Sequence, residues 1–68
     1  MPNILSFVEQ GIIYEDQFIE TYLMVLRDEG FMELFGAHQD EARTLLTTMI
    51  RESGKHKVDL EQLKKKFA

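Results

Sequence analysis

Residues 18–26 read FIETYLMVL, and seven of these nine positions carry apolar or aromatic side chains. If the segment is helical, successive side chains are rotated by about 100°, so these seven cover far more than one narrow stripe. A helix that is apolar around most of its circumference must be covered from more than one side. One sister helix of the same chain cannot do this, whereas a second chain can. The segment therefore predicts self-association.

The chain is short, and we expect its 68 residues to form one domain, 1–68. A chain of this length buries only about 60% of its unfolded surface, which makes its own stability marginal. Small proteins usually compensate with disulfides, a metal or oligomerisation. The absence of cysteine excludes disulfides, thiolate metal sites and cysteine nucleophiles. Oligomerisation is therefore the favoured compensation, ahead of a metal.

The location of the protein is predicted from two features that the sequence lacks, a signal peptide and an apolar run long enough to span a membrane. The first residues, MPNILSFVEQG, have neither a positive region nor a long apolar stretch, so we expect no signal peptide. No apolar run approaches the roughly 18 residues that a membrane helix needs. The sequence thus predicts a soluble, cytoplasmic protein without a membrane partner.

Charge is distributed unevenly along the chain. Residues 1–50 carry nine acidic residues against Arg27 and Arg43, a net charge of −7, and residues 51–68 carry six basic residues against three acidic ones, a net charge of +3. We expect the basic segment to pack near an acidic body, either its own or a neighbour's. The three consecutive lysines at 64–66 lack interleaved arginines or aromatics, which argues against a nucleic-acid partner.

Three glycines fit the ends of helices. Gly11 stands between Phe7 and Ile12, an apolar pair of the kind that accompanies a Schellman ending; Gly30 repeats this pattern, and Gly54 precedes a polar run. No strand-like alternation occurs, so the sequence predicts an all-α protein. The predicted helices lie near 3–10, 14–29, 31–53 and 60–67.

The last of these helices has its own start signal. Asp59 is placed to cap free amides, and Gln62 completes a variant of the capping box. Val58 and Leu63 are spaced for a hydrophobic staple. The lysines 64–66 would lie in the last turn, where cations favour the helix dipole. This pattern predicts a short accessory tail helix.

A heptad seam runs through the third segment. Its members are Phe31, Phe35, His38, Ala42, Leu45 and Met49. The seam is coherent only if the helix continues through Gly36, where a glycine costs about 1 kcal/mol relative to alanine. We favour this continuous helix, in which His38 faces the seam and Leu45 is buried. The alternative is a break at GAHQD, with His38 or Asp40 capping a shorter helix.

A histidine in a seam near carboxylates raises the possibility of a metal site. His38 and Glu41 are three residues apart and would project from one face, while Glu20 and Glu15 lie on the facing helix of an antiparallel hairpin. Helix bundles build carboxylate metal sites from such residues.

The stretch YLMVLRDEGFMELFGAHQDEARTLL resembles one half of a ferritin-like or rubrerythrin-type helical hairpin, and the resemblance covers roughly residues 14–50. It implies a hairpin that pairs into a four-helix bundle, with a Glu-x-x-His metal motif. Glu41 matches the glutamate of that motif, but Thr44 stands at its histidine position and His38 precedes Glu41 instead. Only Glu41, and Glu20 by its facing position, carry over. The resemblance thus supports the hairpin and argues against an intact metal centre.

Other catalytic chemistry has little support. The serines and threonines have no histidine and aspartate at a spacing that suggests a catalytic triad, and no glycine-rich phosphate loop occurs. His56, in GKHKV, is interpreted as a solvated loop residue. We therefore expect neither an enzyme nor a cofactor.

The sequence as a whole predicts an antiparallel helical hairpin with short terminal helices, which pairs into a four-helix bundle or a larger helical oligomer. The predicted function is that of a non-catalytic self-associating protein, structural or adaptor in role. Its predicted partner is a second copy, as a homodimer or higher homo-oligomer, and a different protein partner is possible. The alternative is a ferritin-like carboxylate metal-binding protein whose site is completed across a subunit interface, with His38, Glu41 and Glu20 as candidate ligands.

Overall fold

The computed structural model describes residues 3–67, which form helices and short connections without any strand. Helix α1 spans Ile4–Arg27, α2 spans Glu29–Glu33, and α3 spans Gln39–Phe67, with a 3-10 turn at Gly36–His38 before α3. The all-α prediction is confirmed for these residues. The molecule is elongated, measuring 48 × 18 × 15 Å.

Helix α1 is a single helix of 24 residues, so the predicted stop at Gly11 is wrong. It begins after Asn3, whose side-chain oxygen accepts a hydrogen bond from the Ser6 amide at 2.7 Å. Gly11 lies where α3 approaches most closely, since a Cβ added there would be 3.1 Å from Leu60 Cδ1. The glycine therefore serves the packing between helices rather than a helix end.

The first long helix ends near its predicted position but through a different residue. Asp28 interrupts the helix, and its backbone amide donates to the carbonyls of Met24 and Val25. Its carboxylate then caps α2 by accepting a hydrogen bond from the Phe31 amide at 3.0 Å. The prediction of a stop at Gly30 is wrong, because Gly30 lies inside α2.

The continuous helix predicted over 31–53 is also wrong. The chain breaks at GAHQD, as in the alternative, but the helix that follows is longer than that alternative expected, and Asp40 lies inside it rather than capping it. Gly36 has a φ of 54°, in the left-handed region that only glycine enters without a Cβ penalty. The following 3-10 turn leads into α3 through a hydrogen bond from the Gln39 amide to the Gly36 carbonyl. The chain therefore reverses direction here instead of extending one helix.

Helix α3 runs without interruption for 29 residues, through Gly54 and through the predicted tail helix. The stop at Gly54 and the cap at Asp59 are thus both wrong. A glycine inside a helix costs about 1 kcal/mol relative to alanine. Packing of residues 55–67 against α1 offsets this cost, because these residues face the N-terminal half of α1 rather than forming an accessory tail.

The two long helices lie antiparallel. Glu9 pairs with Lys64 and Asp16 pairs with Lys57, so position along α3 falls as position along α1 rises. These ion pairs confirm that the basic C-terminal segment packs against an acidic body, here the chain's own α1.

The core of the helix pair is thin. Among the described residues, the buried hydrophobic side chains are Val8 and Met32, each 1% exposed, and Ser53 is a buried polar residue. Leu45, predicted to be buried in the seam, is 60% exposed. Two helices bury only the stripe along which they face each other, so the remaining apolar side chains stay at the surface.

Candidate functional site

The predicted metal candidates lie at the surface. His38 Nδ1 is 3.5 Å from Glu41 Oε2, but the two side chains are 74% and 82% exposed. The prediction that His38 faces a seam is wrong, because the left-handed Gly36 places His38 in the 3-10 turn rather than within a long helix.

Glu20 is exposed on α1, and nothing in the structure groups it with His38 and Glu41. Within residues 3–67, no three side chains of histidine, aspartate or glutamate are gathered closely enough to hold a metal ion. One copy of the chain therefore does not present a complete metal site in its described part.

A shallow groove of about 270 Å³ lies between α1 and α3, at the middle of both helices. It is lined by Glu15, Phe18 and Tyr22 of α1 and by Met49, Glu52, Ser53 and His56 of α3. This central groove brings together two carboxylates, an imidazole and two aromatic rings. None of its lining residues belongs to the candidate set of His38, Glu41 and Glu20.

The polar centre of the groove is the contact between Glu15 and His56. Glu15 Oε1 is 3.4 Å from His56 Nδ1, and the Glu15 side chain is only 16% exposed. The other carboxylate oxygen, Oε2, is buried and has no hydrogen-bond partner. A buried carboxylate oxygen without a donor is costly, so Glu15 is held in the groove at some expense in stability.

The interpretation of His56 as a solvated loop residue is wrong, because it lies inside α3 and contacts α1. The sequence prediction places Glu15 on the helix that faces His38, whereas the structure places it beside His56. Glu15 occupies the same heptad stripe as Val8, Ile12 and Ile19, so a carboxylate stands on an otherwise apolar stripe. The signal for His56 was weaker, since it depended on α3 continuing through Gly54.

Exposed apolar side chains flank the groove along both helices. On α1, Phe7, Tyr14 and Phe18 are exposed at spacings of seven and four residues, which places them on one side, and Phe18 stacks on Tyr22 with ring centroids 6.3 Å apart. On α3, the apolar side chains on the groove side lie four residues apart in two pairs, Leu45 with Met49 and Leu63 with Phe67. We call this surface the aromatic face; it comprises Phe7, Tyr14, Phe18 and Tyr22 of α1 and Leu45, Met49, Leu63 and Phe67 of α3.

The other edge of the helix pair is charged. Glu9 and Asp16 each follow an aromatic-face residue by two positions, a rotation of about 200° around α1. Asp16 Oδ1 lies 2.7 Å from Lys57 Nζ, and its hydrogen bond and negative charge raise the pKa of Lys57. Glu9 and Lys64 are 3.5 Å apart on the same edge. Charges on this edge are therefore paired within the chain.

Two further findings concern membrane-spanning segments and similarity to known proteins. No helix in the described part of the chain is both long enough and apolar enough to cross a membrane. No family model, no curated protein and no solved structure matches this chain.

Proposed function

We propose that this protein is a non-catalytic, self-associating helical module with a structural or adaptor role. In this proposal, two copies cover each other's exposed apolar surface and form a four-helix bundle from two antiparallel helix pairs. The ferritin-like resemblance of residues 14–50 is consistent with such a bundle.

The observation that carries the proposal is the surface area of one copy. A compact protein of 8.0 kDa exposes roughly 4,450 Å². This chain exposes 5425 Å², which is roughly 1,000 Å² more. A standard dimer buries about 800 Å² on each partner. Pairing with one further copy would thus remove most of the excess.

The character of the exposed surface supports the same proposal. Phe7 is 75% exposed and Leu45 is 60% exposed, and both belong to the continuous aromatic face. Monomeric proteins rarely expose large contiguous apolar patches, which usually mark sites of association. Because the core within one copy is thin, covering this face would also supply stability that one chain lacks.

The hydroxyl groups support a non-catalytic role. The hydroxyls of Thr21 and Thr48 each donate to the backbone carbonyl one turn earlier, at 2.8 and 2.9 Å. Ser53 is buried between the helices. The two threonine hydroxyls are engaged in backbone hydrogen bonds rather than activated by a neighbouring base, whereas Ser53 lines the same groove as Glu15 and His56.

The proposal is tested by sedimentation equilibrium or light scattering over a dilution series of untagged protein, with circular dichroism at each concentration. We expect at least a dimer at micromolar concentration, and dissociation that is accompanied by loss of helix stability. A monomer that melts cooperatively at micromolar concentration contradicts self-association.

The second candidate function is a carboxylate metal-binding protein whose site is completed between two copies. The observation that favours it is the contact between Glu15 and the exposed His56 in the groove. With Glu52 in the same groove, two copies would offer four carboxylates and two imidazoles, donors that suit iron, manganese or zinc. Any such metal would be held by Glu15, Glu52 and His56 of both copies.

Metal analysis of protein purified without a chelating tag tests this candidate. Stoichiometric metal that is lost in both Glu15→Gln and His56→Gln supports a groove site. The matched controls are His38→Gln and Glu41→Gln, which remove the other candidate pair. Loss of metal in these controls alone would place the site at His38 and Glu41, and metal-free native protein refutes both versions.

A further inference from the structure

We propose that the aromatic face pairs two copies about a two-fold axis that crosses the central groove, and that Glu15 and His56 form a polar layer that sets the register of the pair. This inference rests on the proposed self-association and adds which face is used and what fixes its alignment.

The position of the groove is the first argument. Glu15 is the twelfth of the 24 residues of α1, and Ser53 is the fifteenth of the 29 residues of α3, so the groove lies at the middle of both helices. A symmetric dimer uses the same patch on both copies. Two copies of the aromatic face overlap fully only if the two-fold axis lies in the plane of their interface and passes through the centre of the face. The groove of one copy then meets the groove of the other.

The area and the charge of the aromatic face favour a second copy as its occupant. The excess surface of roughly 1,000 Å² is about what one further copy buries. The acidic side chains of Glu15 and Glu52 in the groove disfavour an anionic lipid surface. The opposite edge carries the intrachain ion pairs, such as Asp16 with Lys57, so these charges already have partners within the chain. A second copy meets these constraints with the same face.

The unpartnered oxygen is the second argument. Glu15 Oε2 is already shielded from water in one copy, and a covering partner would bury the carboxylate further. His56 uses Nδ1 towards Glu15 of its own chain and is 61% exposed, so its Nε2 is available as a second hydrogen-bonding atom. In the two-fold pair, the exposed His56 of each copy lies opposite the groove of the other, where its Nε2 faces polar side chains rather than apolar ones.

The polar layer has a defined consequence for alignment. The aromatic positions recur at heptad spacing, so an apolar face alone would also accept copies that slide by whole turns. A slide moves Glu15 and His56 opposite apolar side chains of the second copy, so that both polar groups are covered without any polar group across the interface. A buried polar group in a helical interface thus selects one register at some cost in stability.

The face is tested on the full chain with a chelator present, so that bound metal does not contribute. Phe18→Glu introduces a charge on the aromatic face, and we expect dimer affinity to fall at least roughly tenfold. The matched control is Met24→Glu, since Met24 is 71% exposed on another side of α1; its affinity should match that of the native chain. Equal losses in both variants, or a loss only in Met24→Glu, overturn the choice of face.

The register is tested by distance measurements between spin labels. The chain has no cysteine, so Lys55→Cys allows one label at mid-helix, outside the groove. In the native background we expect one narrow intermolecular distance, shorter than the 48 Å length of the molecule. Adding Glu15→Leu and His56→Leu should preserve or tighten association but broaden the distance distribution or raise the mass.

Two outcomes separate this inference from the proposed function. A monomeric native protein overturns self-association and this inference together. A native dimer whose label distances are as broad as those of the doubly substituted chain overturns only the register-setting layer. If the leucine variants lose helicity by circular dichroism, the Glu15→Met and His56→Met pair replaces them, with the same broadening expected.

Discussion

Replacing glycine with alanine should have opposite effects at Gly54 and at Gly36, although the chemical change is the same. Gly54 lies inside α3, and a Cβ added there meets nothing within 4 Å. Gly36 also has open space around its Cα, but its φ of 54° is strained for any residue that carries a Cβ. The backbone conformation, not the available space, separates the two positions.

The magnitudes follow from this difference. In a helix interior, alanine is about 0.8–1 kcal/mol more favourable than glycine, so Gly54→Ala should stabilise the protein by about that amount. In the left-handed region, an L-residue costs about 1–2 kcal/mol, so Gly36→Ala should destabilise by that amount. The two variants should then differ by about 2–3 kcal/mol, which corresponds to roughly 10–20 °C in melting temperature for a domain of this size.

Thermal melts followed by circular dichroism measure these shifts, with all variants at one protein concentration because association also affects melting. Gly11→Ala provides an intermediate case, since the helix gain is offset by the Leu60 side chain, which must move. If a helix ran through Gly36 and ended at Gly54, the signs would reverse. A stabilising Gly36→Ala together with a destabilising Gly54→Ala would refute the assignment of these helices.

Three further predictions follow from the packing of the helices. Met32→Ala should cost about 2–4 kcal/mol in a urea melt because Met32 is fully buried, whereas Met24→Ala at an exposed position should change little; equal costs would contradict this packing. Truncation after Gly54 should abolish most helical signal in circular dichroism, because the lost half of α3 covers the N-terminal half of α1, and an unchanged spectrum would make that segment accessory. The pair of Lys57 with Asp16 raises the pKa of Lys57 above its ordinary value of 10.5, so its contribution to stability is present at neutral pH and is lost as the pH rises through that raised value. Lys57→Met should therefore melt with a smaller alkaline decrease than the native chain, and identical alkaline profiles would argue against the pair.

The sequence predicts a site at His38, whereas the structure places His56 in the groove. His38 was assigned to a seam by spacing alone, and the assignment failed because one left-handed residue at Gly36 broke the helix that defined the spacing. A helix end at Gly54 predicts a loop at His56, but α3 continues through both residues. Both errors have one origin: spacing predicts which residues share a face only while the helix is unbroken.

The sequence by itself determined the helical class and the packing of a basic segment against an acidic one. Both features follow from local chemistry, namely side-chain periodicity and charge. Only the tertiary structure decided the roles of the glycines. Gly11 permits close approach of Leu60, Gly36 makes the turn, and Gly54 is tolerated inside a helix. At Gly11 the deciding neighbour is Leu60, some fifty positions away along the chain, whereas nothing lies within 4 Å of a Cβ added at Gly36 or Gly54, and these two differ in backbone conformation.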